Sequence, residues 1–85
     1  MSREYTHFEF DPHALKRMRQ RRISRRQILR TVTNPDRLYS GYRGRLVAEY
    51  TTNEGNTLSV VFEEHEHADG ITAFIVTVIR KGAGK

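Results

Sequence analysis

The sequence predicts a single α+β domain in which two short helices pack on one face of an antiparallel sheet, in the order strand, helix, helix, strands. Helix start and stop signals delimit two helices between residues 11 and 36, and alternating residues predict strands before and after them. A chain of 85 residues has room for one small core, which this two-layer arrangement supplies. We expect one domain over residues 1–80 and a flexible C-terminal tail over residues 81–85.

A strand and a helix meet at Asp11. Residues 5–10 alternate along the chain in the manner of a short strand. Asp11 is a favoured N-cap residue, because its side chain accepts a backbone N–H that has no partner inside the helix, and Pro12 is a favoured first helical residue. We therefore expect a strand over residues 5–10 and a helix over residues 12–21.

A capping box opens the second helix. Ser24 and Gln27 stand in the two positions from which each side chain bonds the backbone N–H of the other residue. The helix should end at residue 33, because the Asn-Pro-Asp sequence that follows favours a turn and the residue before a proline resists helical geometry. The expected helix therefore follows Ser24 as its N-cap and runs to about residue 33.

From residue 37 onward the pattern changes to strands separated by turns. The last strand is apolar on both faces, which is typical of a central rather than an edge position in a sheet. The expected strands span residues 38–40, 45–51, 57–64 and 71–80, with a turn at 41–44, a hairpin at 53–56 and a loop at 65–70.

A helix-turn-helix domain is the alternative fold. Two helices joined near Arg22 would then turn Arg25, Arg26 and Arg30 toward DNA. Such domains normally need a third helix to complete a core, and no third helix is indicated here.

Positive charge is concentrated between residues 16 and 30, where eight of fifteen residues are Lys or Arg and none is acidic. Residues 1–45 carry a net charge of +8 and residues 46–85 a net charge of −3. Clustered charge of this kind is typical of a protein that binds a phosphate backbone, so a nucleic acid is the expected partner. An anionic membrane is the competing partner, but the apolar side of the helices is needed for a core. The residues expected to bind the nucleic acid are Lys16, Arg21, Arg22, Arg25, Arg26, Arg43 and Arg80.

The composition narrows the class of protein further. With no cysteine, the chain has neither a disulfide framework nor a thiolate metal site. The N-terminus lacks the apolar stretch of a signal peptide, and no run approaches the roughly twenty apolar residues of a membrane span. We expect a cytoplasmic protein that does not contact membranes and uses no cofactor.

One stripe on the first helix has the chemistry of a catalytic site. His13, Arg17 and Arg21 are four residues apart and therefore lie on one helical face. A histidine can transfer a proton near neutral pH, and guanidinium groups can hold a phosphate and neutralise charge that develops on it. The alternative is a solvated polar face without catalytic function.

Two other groups of residues carry weaker signals. His65 and His67 lie in an acidic segment and could bind a divalent metal, although such loops are more often solvated. Tyr39, Tyr42 and Tyr50 lie among arginines and could stack on RNA bases, although tyrosines in hairpins more often pack on the sheet.

Several stretches of the sequence resemble the domain of unknown function 4258 family, and the resemblance extends over residues 8–80. Fold comparison has linked that family to the RelE and BrnT toxins and to metal-independent ribonucleases. One departure is Arg22, where the family often has a glycine suited to a left-handed helix C-cap. The matching stretches are HALKRMRQRRIS at 13–24, Ile28, NPD at 34–36, Gly44-Arg45, LSVVFEE at 58–64 and VTV at 76–78.

The resemblance implies a metal-independent endoribonuclease. His13, Arg17 and Arg45 match the polar positions expected to line the family's site. The implied reaction is attack of a ribose 2′-hydroxyl on the adjacent phosphate, with His13 as general base or acid and the two arginines neutralising the developing charge. Arg21, Thr77 and Arg80 match the family's site less closely.

We therefore expect an RNA-binding, toxin-like domain with endoribonuclease activity. Two other functions remain open. The same basic surface would also suit a nucleic-acid-binding module without catalysis, or a protein-interaction domain that docks an acidic partner such as an antitoxin.

Overall fold

The computed structural model describes residues 4–82, and within them the chain forms two α-helices and one five-stranded sheet. The strand order is β1-β5-β4-β3-β2. Both helices pack on the same side of the sheet, so the predicted α+β fold class is confirmed. The elements are β1 (His7–Phe10), α1 (Pro12–Arg21), α2 (Arg25–Thr33), β2 (Arg37–Ser40), a one-turn 3-10 helix (Tyr42–Gly44), β3 (Leu46–Thr51), β4 (Thr57–His67) and β5 (Gly70–Lys81).

The sheet differs from the prediction in one respect, because it is mixed rather than wholly antiparallel. β1 pairs with β5 in the parallel direction, with Phe8 opposite Ala73, whereas the other three pairs of neighbouring strands are antiparallel. Side chains alternate in the same way in either direction, so the sequence pattern carries no information on the direction of pairing. The expected central position of the last strand is confirmed, because β5 lies between β1 and β4.

Local capping determines where the two helices begin. The Asp11 carboxylate accepts a hydrogen bond of 2.8 Å from the backbone N–H of His13. At the start of α2 the Ser24 hydroxyl accepts from the N–H of Gln27 at 3.2 Å, and the Gln27 side chain accepts from the N–H of Ser24 at 2.8 Å. These bonds satisfy donors that have no partner inside the helix, and the predicted helix bounds are confirmed.

The predicted loop at 65–70 is wrong, because β4 and β5 continue into this segment. β4 runs on to His67, which pairs with Gly70 across a tight turn. Gly70 has a φ of +141°, and a Cβ there would lie 1.7 Å from the Thr6 hydroxyl oxygen, so only glycine fits. The polar composition of the segment suggested a loop, but pairing with β5 holds it as a strand.

The core lies between the helices and one face of the sheet. Alternate residues of β3 and β4 point toward the helices, and the residues between them point to the opposite side, which we call the open face. In β5 a shift of the pairing with β4 at Val61 and Phe62 interrupts the alternation, so that Ile75 and Val78 both point into the core. No helix covers the open face within the described residues. Because the sheet completes the core, it takes the place of the third helix that a helix-turn-helix domain would need. The most buried core residues include Ala14, Ile28, Val32, Ala48, Val60, Phe62, Ala73, Ile75 and Val78.

The last strand extends into the predicted C-terminal tail. The predicted tail begins at residue 81, yet Lys81 is the last residue of β5. Residues 83–85 of that tail lie outside the described residues. Neither helix in the described part of the chain is long and apolar enough to cross a membrane.

Arg22 ends α1 in a backbone conformation that suits glycine. Its φ is 55° and its ψ is 46°, which is the left-handed helical region. The Ile23 N–H donates to the Met18 carbonyl at 2.9 Å across this residue and closes the helix end. The position at which the resemblance indicated a glycine is therefore a left-handed C-cap, occupied here by a residue with a Cβ.

Replacing this arginine by glycine is expected to stabilise the domain. Arg22→Gly should raise the free energy of unfolding by about 1 kcal/mol, because glycine adopts the left-handed region without a steric penalty. Urea denaturation followed by circular dichroism measures the change. Arg22→Ala is the matched control, since it removes the same charge but keeps the Cβ. If both variants were stabilised equally, the cause would be relief of charge repulsion. That result would contradict an explanation based on the left-handed backbone conformation of residue 22.

Candidate nucleic-acid interface

The basic residues of the two helices form one surface on the outside of the helical layer. Ala14, Met18, Ile28 and Val32 take the inward positions and are buried in the core. The basic side chains therefore lie outside the core, with Arg17 half-buried and the others exposed. Two of them contact strand residues at the margin of the helical layer: Arg25 lies over the Phe10 ring at 4.8 Å and Arg30 over the Tyr50 ring at 3.9 Å. We call this surface the basic helical face, and it consists of Lys16, Arg17, Arg19, Arg21, Arg22, Arg25, Arg26 and Arg30.

The described part of the chain provides no carboxylate partner for the charge of the basic helical face. Within residues 4–82, none of its side chains forms an ion pair with a carboxylate. On the open face, by contrast, Arg37 pairs with Glu49 at 3.5 Å and Arg45 with Glu63 at 3.0 Å. The two sides of the molecule thus differ in electrostatics, and the uncompensated positive charge is on the helical side.

The predicted stripe on α1 is present. His13 and Arg21 are exposed and Arg17 is half-buried, on successive turns of the helix. The backbone N–H of His13 donates to the Asp11 cap, and the imidazole is exposed. Arg17 and Arg21 belong to the basic helical face, and His13 adds a proton-transfer group beside them.

Arg45 does not join that stripe. Its Nε donates to a Glu63 carboxylate oxygen at 3.0 Å. Phe62 points into the core, so its neighbour Glu63 points to the open face, and Arg45 with it. The sheet therefore separates Arg45 from His13 and Arg17, and the predicted three-residue catalytic site is not assembled.

Glu63 holds Arg45 in this position. Hydrogen bonds from Arg45 and then from His65 lower the pKa of the Glu63 carboxyl below its ordinary value. Glu63 is therefore a carboxylate in neutral solution, and it keeps the Arg45 guanidinium paired on the open face.

The acidic, histidine-bearing segment does not form a metal site within the described residues. His65 contacts a Glu63 oxygen at 3.0 Å, and its ring stacks on Phe74 with centroids 5.9 Å apart. Across residues 4–82 no group of three or more His, Asp or Glu side chains is placed to hold a metal ion. The two contacts of His65 give it a place in the packing of the open face.

A cleft of about 520 Å³ lies beside the basic helical face, between α2 and the β3–β4 hairpin. Three arginines from two elements line it: Arg26 and Arg30 of α2, and Arg80 near the end of β5. Sequence reasoning named Arg26 and Arg80 separately but did not predict that they line one cleft. The remaining lining residues are Gln27, Tyr50, Thr52, Glu54, Asn56, Thr57 and Leu58.

The three candidate tyrosines have different environments. The Arg30 guanidinium lies 3.9 Å from the centroid of the Tyr50 ring and covers one of its faces. On the open face, the Tyr39 hydroxyl donates a hydrogen bond of 2.9 Å to the Glu49 carboxylate. Tyr42 is 80% exposed in the turn between β2 and β3, next to Arg43. Arg43, one of the predicted RNA-binding residues, therefore lies outside the basic helical face.

The chain matches the model of a known protein family over most of its length. The model of the family described as Domain of unknown function (DUF4258) matches residues 10–80. The chain belongs to this family. Comparison with curated proteins and with solved structures gives no significant match. Family membership confirms the resemblance seen in the sequence, whereas the relation of DUF4258 to RelE and BrnT toxins stays a prediction.

Proposed function

We propose that this DUF4258 protein binds RNA through the basic helical face. The observation that carries the proposal is the concentration of eight cationic side chains on one surface without an acidic partner in the described residues. Charge of one sign repels itself, and a polyanion that releases its counterions on contact relieves that repulsion. RNA phosphates supply negative charge at regular spacing along such a surface.

The residue types favour phosphate over a membrane surface. Seven of the eight residues are arginine, whose guanidinium forms two parallel hydrogen bonds to a phosphate. Binding to a membrane interface also needs an apolar helix face that can enter the lipid. The apolar sides of α1 and α2 are already buried against the sheet, which supports RNA as the partner.

The proposal predicts RNA binding that weakens steeply with salt. For single-stranded RNA the slope of log affinity against log salt is about −0.7 per phosphate contact, so five contacts would cost on the order of 100-fold between about 50 and 200 mM salt. Fluorescence anisotropy with a labelled single-stranded RNA measures this slope. Poly-glutamate is the control polyanion, and we expect it to compete poorly because it lacks phosphate. Failure to bind RNA at 50 mM salt, or displacement by poly-glutamate at equal charge, would reject RNA in favour of an acidic protein partner.

RNA cleavage is a second candidate function, supported by the position of His13 one helical turn from Arg17 on an exposed surface. His13 would take the proton of the attacking 2′-hydroxyl as its oxygen bonds to phosphorus, and Arg17 would neutralise charge on the phosphate. The bond from phosphorus to the 5′-oxygen breaks, the 5′-oxygen leaves with a proton from water, and one strand ends in a 2′,3′-cyclic phosphate. Because Arg45 lies on the open face, this version of the site does not include it.

The cleavage assay separates the two-residue site from the three-residue site. We expect His13→Ala and Arg17→Ala to lose at least about 100-fold in cleavage rate, as for removal of a general base or of a charge-stabilising group. Arg45→Gln should keep the rate of the unmodified protein. Loss of cleavage in Arg45→Gln would instead restore Arg45 to the site, and RNA left intact by the unmodified protein would leave binding as the function.

A further inference from the structure

The cleft between α2 and the β3–β4 hairpin differs from the rest of the basic surface in shape. It is concave, so its residues could contact a ligand from several sides, whereas the rest of the surface carries charge without a cleft. We propose that this cleft binds a nucleoside phosphomonoester, and that its source is the phosphorylated end of an RNA strand. The assignment of an RNA strand end as the source rests on the RNA-binding function proposed above. The cleft would thereby make the protein sensitive to the chemistry of an RNA end.

The charge balance of the cleft fits a terminal phosphate. Arg26, Arg30 and Arg80 line it together with a single acid, Glu54, and none of the three arginines is engaged in an ion pair within residues 4–82. A phosphomonoester carries a charge of about −1.5 to −2 at pH 7, whereas a phosphodiester inside a strand carries only one negative charge. An excess of two positive charges around one cleft therefore favours a strand end over an internal phosphate.

Two of the arginines are held in place before any ligand arrives. Arg30 stacks on Tyr50 and donates to the Asn34 carbonyl at the end of α2. Arg80 donates through Nη2 to the Arg22 carbonyl at 3.3 Å. A guanidinium has five N–H donors, so each keeps donors for a phosphate after these contacts. Side chains that are already ordered lose less conformational entropy on binding.

The cleft also has the size and lining of a site for a nucleotide. Its volume of about 520 Å³ falls within the range of roughly 300 to 1,000 Å³ found for small-molecule sites. Leu58, only 6% exposed, gives it an apolar floor. The Asn56 side chain and the amide N–H groups of Gln27, whose oxygen is held in the capping box, add hydrogen-bonding groups that a ribose or a base can use. A base and a sugar can therefore follow the phosphate into the cleft.

Binding assays with defined RNA ends test the proposal. Short single-stranded RNAs of one sequence, labelled at an internal position, would carry a 5′-phosphate, a 3′-phosphate or hydroxyls at both ends. We expect one phosphorylated form to bind about tenfold more tightly than the hydroxyl form, the effect of one added charged hydrogen-bonded contact. A free mononucleotide and inorganic phosphate serve as competitors. If the free mononucleotide competed at concentrations as low as those needed for the phosphorylated RNA, the rest of the RNA strand would add nothing to binding. That result would overturn the proposal that the ligand is the end of an RNA strand.

Matched variants connect the preference to the cleft. Arg26→Gln and Arg80→Gln should abolish the preference for the phosphorylated end. Arg26 has an exposed side chain, so its variant tests the proposal even if loss of the Arg80 contact disturbs folding, which circular dichroism would reveal. Arg19→Gln, on α1 and outside the cleft, should weaken binding of all three RNAs alike and keep the preference.

The two proposals fail in different ways. If no RNA binds at 50 mM salt, the RNA-binding function itself is rejected. If all three RNAs bind with the same affinity, or if Arg19→Gln abolishes the preference as fully as Arg26→Gln does, RNA binding stands and the end-binding cleft is overturned.

Discussion

Arg21→Glu combined with Arg25→Glu is expected to lower RNA affinity on the order of 100-fold at 0.1 M salt, since each reversal removes one phosphate contact and adds repulsion. Both side chains are exposed on the basic helical face and outside the cleft. Arg25 is the first residue of α2, where a carboxylate is favourable to the helix dipole, whereas Arg21 is the last residue of α1, where a carboxylate costs about 0.3 to 1 kcal/mol. Arg25 also leaves its position over the Phe10 ring, so circular dichroism is used to check that the variant is folded. Fluorescence anisotropy gives the affinities.

A control with the same change in net charge tests whether position matters. Arg37→Glu combined with Lys81→Glu also reverses two charges, but register places both residues on the open face. We expect this variant to lose no more than about threefold at 0.1 M salt, because charges separated by more than about 10 Å are largely screened. An equal loss in the two double variants would show that net charge alone drives binding.

Phe62→Ala is expected to cost about 3 to 5 kcal/mol of the free energy of unfolding, the range measured for large aromatic residues in protein cores. Phe62 is fully buried, lies on β4 between Leu46 and Ile75, and receives the edge of the Tyr5 ring at a centroid distance of 6.0 Å. Small domains have total stabilities at the low end of about 5 to 15 kcal/mol, so much of the variant should be unfolded at 37 °C. Urea or thermal denaturation followed by circular dichroism measures the loss.

Phe74→Ala is the matched control for this core variant. Phe74 belongs to β5 and is only half-buried on the open face, where it stacks on His65. The same change in side chain should therefore cost about 1 kcal/mol, because less apolar surface leaves the solvent there on folding. A cost as large as that of Phe62→Ala would contradict the assignment of the core to the helical side alone.

The elements that the sequence predicted well depend on contacts between near neighbours. The Asp11 cap and the Ser24–Gln27 capping box join groups two or three residues apart, so the residue types are sufficient to place them. The left-handed cap at Arg22 was also indicated, through the glycine common in the family at this position. Helix bounds and the outward position of the basic residues follow from these local signals and from helical periodicity.

The position of Arg45 could not be predicted from near neighbours in the chain. Its place at the start of a strand was expected, yet its role depends on which face of the sheet it occupies and on its contact with Glu63, eighteen residues away. The pairing of Leu46 with Phe62 decides that face. A shift of register by one residue would have turned Arg45 toward the helices. The alternation of β3 opposes such a shift only weakly, because the apolar residues Leu46 and Val47 lie on opposite faces of the strand.

The sequence by itself determined the two helices, the strand-rich second half, and the concentration of positive charge on one helical layer, because caps, side-chain alternation and charge are properties of neighbouring residues. Only the tertiary structure decided the parallel pairing of β1 with β5, the separation of Arg45 from His13, and the cleft that Arg26, Arg30 and Arg80 line. These features join residues far apart in the chain, and their geometry is set by the packing of helices on the sheet.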